Sequence, residues 1–178
     1  WSQEFDTLYQ NLVIPEPLLK EDLYFKTLPE YVQTGENRTR WYWRFDTPEK
    51  YQKSVKGYYR MISEVDAELG KIRKALEEND LAENTIIILM GDNGYFLGER
   101  QLAGKWLMYE NSLRVPLIVF DPRNSVHRKV EEMALNIDIP TTLFDFAGIP
   151  MPAVSQGRSL VPFTRGENLL EDRSEFII

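Results

Sequence analysis

Cysteine is absent from the 178-residue chain, and histidine occurs only once, as His127. These residues therefore provide no disulfide framework, no thiolate metal site and no cysteine nucleophile. His127 is followed by Arg128 and Lys129, a neighbourhood typical of a solvated loop rather than of a catalytic base. A zinc site is also disfavoured, because zinc usually takes sulfur and imidazole ligands.

Long apolar stretches and an excess of positive charge are lacking as well. No apolar run approaches the ~20 residues of a membrane-spanning helix, and the first residues show no signal-peptide pattern. Any targeting segment is therefore expected outside these residues. The 21 Lys and Arg against 28 Asp and Glu give a net charge of -7. This balance argues against a nucleic-acid partner, which requires a basic face.

The residues that are present favour a folded α/β domain. Hydrophobic residues make up 43% of the chain and charged residues 28%, so a sizeable core can form and disorder is disfavoured. The length suggests one domain, or one domain with an appendage.

The first 46 residues show no clear periodicity and are predicted to be irregular. Within them, the run Thr-Arg-Trp-Tyr-Trp-Arg-Phe at 39–45 is both aromatic and basic. Such a cluster can stack on a sugar ring or an aromatic leaving group, or it can pack a long loop onto the domain. Both interpretations stay open at the level of the sequence.

A long amphipathic helix is predicted from Pro48 to about Glu78. Thr47 is a good N-cap, proline fits the first helical position, and Glu49 meets the positive end of the helix dipole. Apolar side chains recur every three or four residues, at Tyr51, Val55, Tyr58, Ile62, Val65, Leu69, Ile72 and Leu76. A coiled coil would show a similar stripe. A strand follows closely, however, so we expect the stripe to pack against a sheet.

The run Thr-Ile-Ile-Ile-Leu-Met at 85–90 predicts a buried strand that stops at Gly91. Asp92 and Asn93 follow at once, with Gly94 behind them. Ligands bind at the carboxyl ends of strands in open α/β sheets, although Asp, Asn and Gly are also common turn residues. Further elements are predicted at 113–120 (strand), 137–146 (helix) and 175–178 (the start of a strand).

Asp92 and Asn93 offer only oxygen ligands, which suit Ca²⁺ or Mg²⁺. Lys105 follows after a loop that is long enough to return to the same pocket. A metal ion and a lysine that converge on one anion would neutralise a sulfate or phosphate group. The sequence therefore predicts an anion-handling site at this strand end.

Several linked motifs closely resemble the sulfatase family. They are Gly-Asp-Asn-Gly-Tyr-Phe-Leu-Gly-Glu at 91–99, Gly-Lys at 104–105, Tyr-Glu-Asn-Ser-Leu-Arg-Val-Pro-Leu-Ile-Val at 109–119, Asp-Ile-Pro-Thr-Thr-Leu-Phe-Asp-Phe-Ala-Gly-Ile-Pro at 138–150 and Gln-Gly-Arg-Ser-Leu at 156–160. The helix segment Ser-Glu-Val-Asp-Ala-Glu-Leu-Gly at 63–70 is similar too. The resemblance runs in order over residues 50–165, which makes it far more specific than one short pattern.

The resemblance implies an α/β fold of the alkaline-phosphatase and sulfatase type, with a mixed central sheet flanked by helices. It implies hydrolysis of sulfate esters or sulfamates of a sulfated small molecule or glycan, at a site that prefers Ca²⁺ to Mg²⁺. Asp92 and Asn93 match the family's metal-ligand pair, and Lys105 matches the lysine that contacts the sulfate and steadies the leaving oxygen. Arg100 stands where many glycan-active members carry histidine, which makes it a candidate substrate contact.

The family's nucleophile is missing from these residues. Members carry a formylglycine made from a Cys/Ser-x-Pro-x-Arg motif, and this chain has neither a cysteine nor the serine form of that motif. The family's early Asp-Asp metal pair is also absent. We therefore expect an incomplete fold, with residues 1–165 part of the catalytic domain and 166–178 the start of a C-terminal subdomain. Formylglycine is expected outside this chain, which alone would be inactive. The family's habits imply a periplasmic, secreted or lysosomal protein.

Two other functions remain as alternatives. One is a phosphodiesterase or phosphonate hydrolase of the same superfamily, although two-zinc members usually place Asp-His where this chain has Asp92 and Asn93. The other is a non-catalytic binding relative that has lost its nucleophile. A truncated sequence explains the missing motif more simply than such a loss does.

Overall fold

The computed structural model describes residues 1–124, 126–167 and 173–176 of the chain. In chain order the elements are α1 (Asp22–Lys26), α2 (Glu30–Gln33), α3 (Glu36–Arg44), α4 (Pro48–Glu78), β1 (Ile87–Met90), β2 (Phe96–Leu97), β3 (Ala103–Gly104), α5 (Glu110–Leu113), β4 (Leu117–Phe120), α6 (Asp138–Phe146) and α7 (Val161–Arg165). Short 3₁₀ turns occur at Gln3–Phe5, Ala82–Asn84 and Glu99–Gln101. None of the helices in the described ranges is long and apolar enough to cross a membrane.

The chain divides into two compact units. The first comprises Trp1–Asp80 and Asn93–Val115, and the second comprises Leu81–Asp92 and Pro116–Ile178. Helices α1 to α5 and strands β2 and β3 belong to the first unit, and β1, β4, α6 and α7 belong to the second.

Helix α4 of the first unit confirms the predicted helix. It spans Pro48–Glu78, and the Thr47 hydroxyl accepts a hydrogen bond from the Lys50 main-chain N–H at 3.2 Å, as an N-cap does. The expectation that its apolar stripe packs against a sheet is wrong for the C-terminal part of the helix. Only Tyr51, Val55 and Gly57 of this helix are buried. The more C-terminal stripe residues include the largely exposed Ile62, Val65 and Ile72.

The prediction that residues 1–46 are irregular is also wrong, because helices α1, α2 and α3 lie there. The aromatic and basic run belongs to α3, which ends at Arg44 with Phe45 as its C-cap. Aromatic residues have modest helix propensity, so tertiary contacts decide the conformation of this segment. Those contacts are given with the site below.

The core of the first unit consists of two clusters of buried side chains. One holds Ile14, Phe45, Tyr51, Val55 and Ala103, and the other holds Leu28, Val32, Phe96 and Leu102. Both clusters combine early helices with residues of the 96–103 segment. The hydrophobic driving force for burying these side chains therefore also fixes the hairpin that β2 and β3 form.

In that hairpin, β2 pairs antiparallel with β3, and Phe96 faces Gly104 while Leu97 faces Ala103. The predicted loop before Lys105 is therefore a tight two-stranded hairpin. The turn is closed by Gly98 N–H, which donates to the Leu102 carbonyl at 3.2 Å. The Glu99 carboxylate accepts from the Leu97 main-chain N–H at 2.7 Å.

In the second unit, β1 pairs antiparallel with β4, with Ile87 opposite Phe120 and Met90 opposite Leu117. Both strands are shorter than predicted. Leu113, where the second strand was predicted to begin, instead ends α5, and Pro116, which lacks an N–H, precedes β4. Within the described ranges the four strands form two separate antiparallel pairs.

Helix α6 confirms the predicted helix at 137–146, and Gly148 follows its end with a φ of +65°. Helix α7 was not predicted. The predicted strand at 175–178 is absent at Glu175 and Phe176, while Ile177 and Ile178 lie outside the described residues.

Asp138 organises the second unit at the start of α6. Its fully buried carboxylate accepts hydrogen bonds from the main-chain N–H groups of Leu135 at 2.8 Å and Arg158 at 2.9 Å. Arg173 donates to both carboxylate oxygens, at 2.7 and 2.9 Å. Burial by itself would raise the pKa of Asp138, but these bonds outweigh it and hold the pKa below its usual range. The motif at 156–160 therefore has a structural role here.

Candidate active site

The structure brings Asn93 and Lys105 together in the first unit. The Lys105 Nζ donates a hydrogen bond to Asn93 Oδ1 at 2.8 Å, and both side chains are half-buried. The β2–β3 hairpin explains this contact. Because Phe96 pairs with Gly104, the residues just before β2 run beside those just after β3.

Gly94 fixes the backbone next to Asn93. Its N–H donates to the Ser112 carbonyl at 2.8 Å, and a Cβ at this position would overlap the carbonyl of Asn111. Only glycine allows so close an approach of two backbones. The Asn93 side chain also donates from Nδ2 to the Gly94 carbonyl at 2.8 Å. Asn93 is therefore held with its Oδ1 toward Lys105.

Asn37 of α3 holds the backbone around Lys105. Its Nδ2 donates to the carbonyls of Ala103 at 2.9 Å and Lys105 at 2.7 Å, on either side of Gly104. Asn37 is buried. The sequence analysis missed this residue, because a side chain that binds distant carbonyls leaves no local pattern.

Arg38, the next residue of α3, holds the preceding turn of the same hairpin. It donates from one nitrogen to Gln101 Oε1 at 2.6 Å and to the Gln101 carbonyl at 3.2 Å. Its guanidinium carbon lies 4.0 Å from the ring centre of Phe25, 4.1 Å from that of Trp41 and 4.4 Å from that of Tyr42. The packing interpretation of the 39–45 cluster is thus supported for Trp41, which also packs against the buried cluster that holds Phe45, whereas Tyr42 is 49% exposed.

The turn from Gly98 to Trp106 is conformationally unusual. Positive φ values occur at Gly98, Arg100, Gln101, Gly104 and Trp106, with values of 106°, 55°, 57°, 95° and 79°. Such values are rare for residues other than glycine. Gln101 compensates through its Nε2, which donates to the Lys20 carbonyl and to Asp22 Oδ1, each at 2.8 Å. The hydrogen bond from Gln101 also lowers the pKa of Asp22.

The remaining candidate residues make other contacts. Arg100 places its guanidinium carbon 5.2 Å from the ring centre of Tyr109, and its role as a substrate contact stays a prediction. Asp92 belongs to the second unit and is exposed after β1, where its carbonyl accepts from Asn136 Nδ2 at 3.3 Å. Its metal-binding role also stays a prediction. His127 is exposed in a loop, as expected.

The carboxylate of Glu99, as well as the cation of Lys105, contributes to the electrostatic environment of the β2–β3 hairpin. Burial raises the pKa of Tyr51, and the neighbouring Glu99 carboxylate raises it further. Tyr51 is therefore a neutral hydrogen-bond donor at neutral pH, and its hydroxyl donates to the Pro15 carbonyl at 2.8 Å. This hydrogen bond links the segment before α1 to helix α4.

The oxygen donors that the chain offers fit part of a Ca²⁺ site. The parts of the chain that the structure describes contain no cluster of three or more His, Cys, Asp or Glu side chains suited to a metal. Asp92 and Asn93 supply a carboxylate and an amide oxygen, which are ligands that Ca²⁺ accepts. The Asn93 oxygen that would serve now accepts from Lys105. Whether Asn93 Oδ1 also serves a cation stays a prediction.

Comparison with known proteins identifies the family. The family model described as Sulfatase matches residues 21–149. The chain is 35% identical over 119 residues to an N-acetylglucosamine-6-O-sulfatase of Bacteroides thetaiotaomicron, which covers 66% of this chain and 21% of that protein. It spans about a fifth of the length of the curated relatives it matches.

Solved structures support the same fold. The phosphonate monoester hydrolase SpPMH from Silicibacter pomeroyi is similar over 96% of this chain and 35% of its own, with a TM-score of 0.84 and 26% identity. BT4656, solved with its substrate D-glucosamine-2-N,6-O-disulfate, is similar over 93% of this chain and 45% of its own, with a TM-score of 0.68 and 25% identity. These likenesses confirm the predicted α/β fold class. The chain belongs to the sulfatase family.

Proposed function

We propose that the protein containing this chain hydrolyses sulfate esters or sulfamates of a sulfated carbohydrate. The hydrogen bond between Lys105 and Asn93, in a segment that the family model covers, is the observation that carries this proposal. A relative is named for removing a 6-O-sulfate from N-acetylglucosamine, and a structural neighbour was solved with a disulfated glucosamine. Both names support a sulfated amino sugar as the substrate class.

In this proposal Lys105 binds the sulfate group and stabilises the oxygen that leaves with the sugar. Negative charge gathers on that oxygen as its bond to sulfur breaks. A cation aimed there binds the transition state more tightly than the substrate, and this difference lowers the barrier. Asn93 orients the lysine, since its Oδ1 accepts a hydrogen bond from Nζ. Arg100 contributes a contact to the substrate.

Asp92 and Asn93 would hold Ca²⁺, which when bound neutralises part of the sulfate charge. Two oxygen donors are fewer than the six to eight that Ca²⁺ takes, so the proposal assigns further ligands and the formylglycine nucleophile to other parts of the protein. Residues 1–165 then belong to the catalytic domain and 166–178 begin a C-terminal subdomain. We assign the protein to the periplasm, the cell exterior or the lysosome.

The test is a turnover assay on the full-length protein that contains these residues. Glucosamine carrying 6-O- or N-sulfate, a 2-O-sulfated sugar and an aryl sulfate are offered separately, and sulfate release is measured. We expect turnover of at least one sulfated sugar that Lys105→Ala reduces. A full-length protein that carries the formylglycine yet releases no sulfate from any of them would overturn the proposal and favour a non-catalytic relative.

Phosphonate monoester hydrolysis is the second candidate, because the SpPMH structure has a TM-score of 0.84 and matches nearly the whole chain. An aryl phosphonate monoester added to the same panel separates the two. A higher kcat/KM on the phosphonate than on every sulfate ester would replace the first candidate with the second. The relatives named as sulfatases favour the first.

A further inference from the structure

One buried side chain holds the backbone on both sides of Gly104. Asn37 uses its Nδ2 to donate to the Ala103 and Lys105 carbonyls, 66 and 68 residues further along the chain. An amide nitrogen has two hydrogens, so both are committed to this turn. Asn37 is only 6% exposed, which means that water cannot readily replace it at these two carbonyls.

From this geometry we propose that Asn37 is a positioning residue for Lys105, an inference that rests on the proposed function. The side chain of Lys105 starts from the backbone that Asn37 holds and reaches Asn93 at 2.8 Å. On either side of it, Gly104 and Trp106 have φ values of 95° and 79°. A backbone in this region persists only where its surroundings enforce it. Asn37 supplies that enforcement.

Helix α3 holds the Lys105 segment rigidly, because two neighbouring residues of the helix, Asn37 and Arg38, both bind the hairpin. Arg38 binds the Gln101 side chain and carbonyl while its guanidinium packs between aromatic rings. Asn37 binds the next turn of the same segment. A reacting group is held accurately when its supporting side chains are themselves locked in place. Helix α3 meets this condition for the Lys105 segment.

A purely structural role for Asn37 makes a different prediction. Loss of the side chain would leave two buried carbonyls without their donor and would cost stability. That cost would be the same whether or not Lys105 is present. A positioning role instead makes the effect on turnover depend on Lys105, so a double-mutant cycle separates the two roles.

The kinetic experiment uses the full-length protein and its best sulfated substrate. We expect Asn37→Ala to lower kcat/KM by about 10- to 100-fold, as misplacement of a catalytic group does. In the Lys105→Ala background the same change should cause no further loss. The control is Val161→Ala in α7, a buried apolar truncation in the other unit. It should lower Tm and leave kcat/KM unchanged. Equal losses in both backgrounds would overturn the proposal.

If Asn37→Ala does not yield folded protein, Gly104→Ala replaces it in the same cycle. Its Cβ would lie 3.1 Å from the Trp106 ring and 3.6 Å from Asn37 Nδ2, in a backbone with positive φ, so it disturbs the same turn while Asn37 is kept. We expect the same dependence on Lys105. If Gly104→Ala lowers kcat/KM by the same factor with and without Lys105, the proposal is overturned.

A second readout does not depend on turnover. Hydrogen exchange at the main-chain amides of 104–106 should be faster in the folded variant, Asn37→Ala or Gly104→Ala, than in the wild type, while exchange in α4 stays the same. Unchanged exchange at 104–106 would overturn the positioning role. A wild-type protein without sulfatase activity would overturn the proposed function alone, and the exchange result would still decide for or against this contact.

Discussion

At the scale of single residues, the site depends on side chains that hold one another. Lys105 donates to Asn93, Asn93 is anchored beside Gly94, and Asn37 fixes the carbonyl of Lys105. Each contact restricts the next residue in this series. Substitutions at Asn37, Asn93 and Lys105 should therefore lower turnover more than the fractional exposure of each side chain alone would suggest.

The first prediction concerns Lys105 itself. Lys105→Ala should lower kcat for sulfate release by about 10²–10³-fold, because it removes one preorganised donor to the leaving oxygen. Tm should change little, since the side chain is half-buried and makes one polar contact. Steady-state kinetics and a thermal melt measure both effects. Lys71→Ala, an exposed lysine of α4 that pairs with Glu68, is the control, and an unchanged kcat for Lys105→Ala would remove the lysine from the mechanism.

The second prediction compares two glycines. Gly94→Ala would push a methyl group into the Asn111 carbonyl, so we expect a loss of about 1–3 kcal/mol in the free energy of unfolding. Gly70→Ala is the control, because the Cβ would meet nothing within 4 Å in the middle of α4. It should stabilise by about 0.5–1 kcal/mol. Chemical denaturation measures both, and equal effects would contradict the close approach at Gly94.

At the scale of elements, sequence patterns predicted what local interactions determine. Helix α4 has a period, an N-cap and an N-terminal proline, and its predicted span from Pro48 to about Glu78 agrees with the structure. Helix α3 was missed because its stability comes from distant partners, among them Gln101 for Arg38 and Ala103 for Asn37. The buried stripe of α4 was overpredicted for a related reason, since periodicity shows which residues share a face but not how much of that face is covered.

The third prediction concerns pH and helix α6. The pKa of Asp138 is lowered in the folded protein, so its stabilising contribution is complete above the unfolded value of about 3.9 and is lost as pH falls through the folded pKa. Asp138→Asn should cost about 3–5 kcal/mol at neutral pH, because Arg173 loses its buried partner. The difference in Tm from the wild type should shrink below about pH 4. Val161→Ala, a buried apolar truncation in α7, should show no such pH dependence because it removes no titratable group, and a constant difference for Asp138→Asn would contradict the assignment.

At the scale of the whole molecule, the motifs predicted the family, and the structure supplied the contact between Lys105 and Asn93. Both residues were named from the motif, because a strand end followed by oxygen ligands and a lysine is a local pattern. Asn37 could not be named, since its partners are main-chain carbonyls, which every residue has. A local pattern therefore predicts candidate site residues better than it predicts the residues that hold their backbone.

The fourth prediction concerns calcium in the full-length protein. A calcium chelator should lower sulfatase activity, and added Ca²⁺ should restore it. Asp92→Ala should raise the Ca²⁺ concentration for half-maximal activity by about tenfold or more, which corresponds to at least about 1.4 kcal/mol of binding free energy. Lys105→Ala should not raise that concentration, because it removes a competing cation from beside the Asn93 oxygen. The measurement is activity as a function of the free Ca²⁺ concentration. The same calcium dependence in wild type and Asp92→Ala would exclude Asp92 as a ligand.

The left-handed residues between Gly98 and Trp106 also bear on how this protein can be improved or can evolve. A non-glycine residue in such a conformation costs about 1–2 kcal/mol, so glycine at Arg100 or Trp106, with φ values of 55° and 79°, would remove part of that strain. Glycine also costs about 0.5–1 kcal/mol in chain entropy, so the net gain in folding free energy is smaller than the strain, but selection for thermal tolerance alone would still favour substitutions in this turn. The same substitutions would loosen the backbone that carries Lys105, so a heat-tolerant lineage would gain robustness at the expense of turnover.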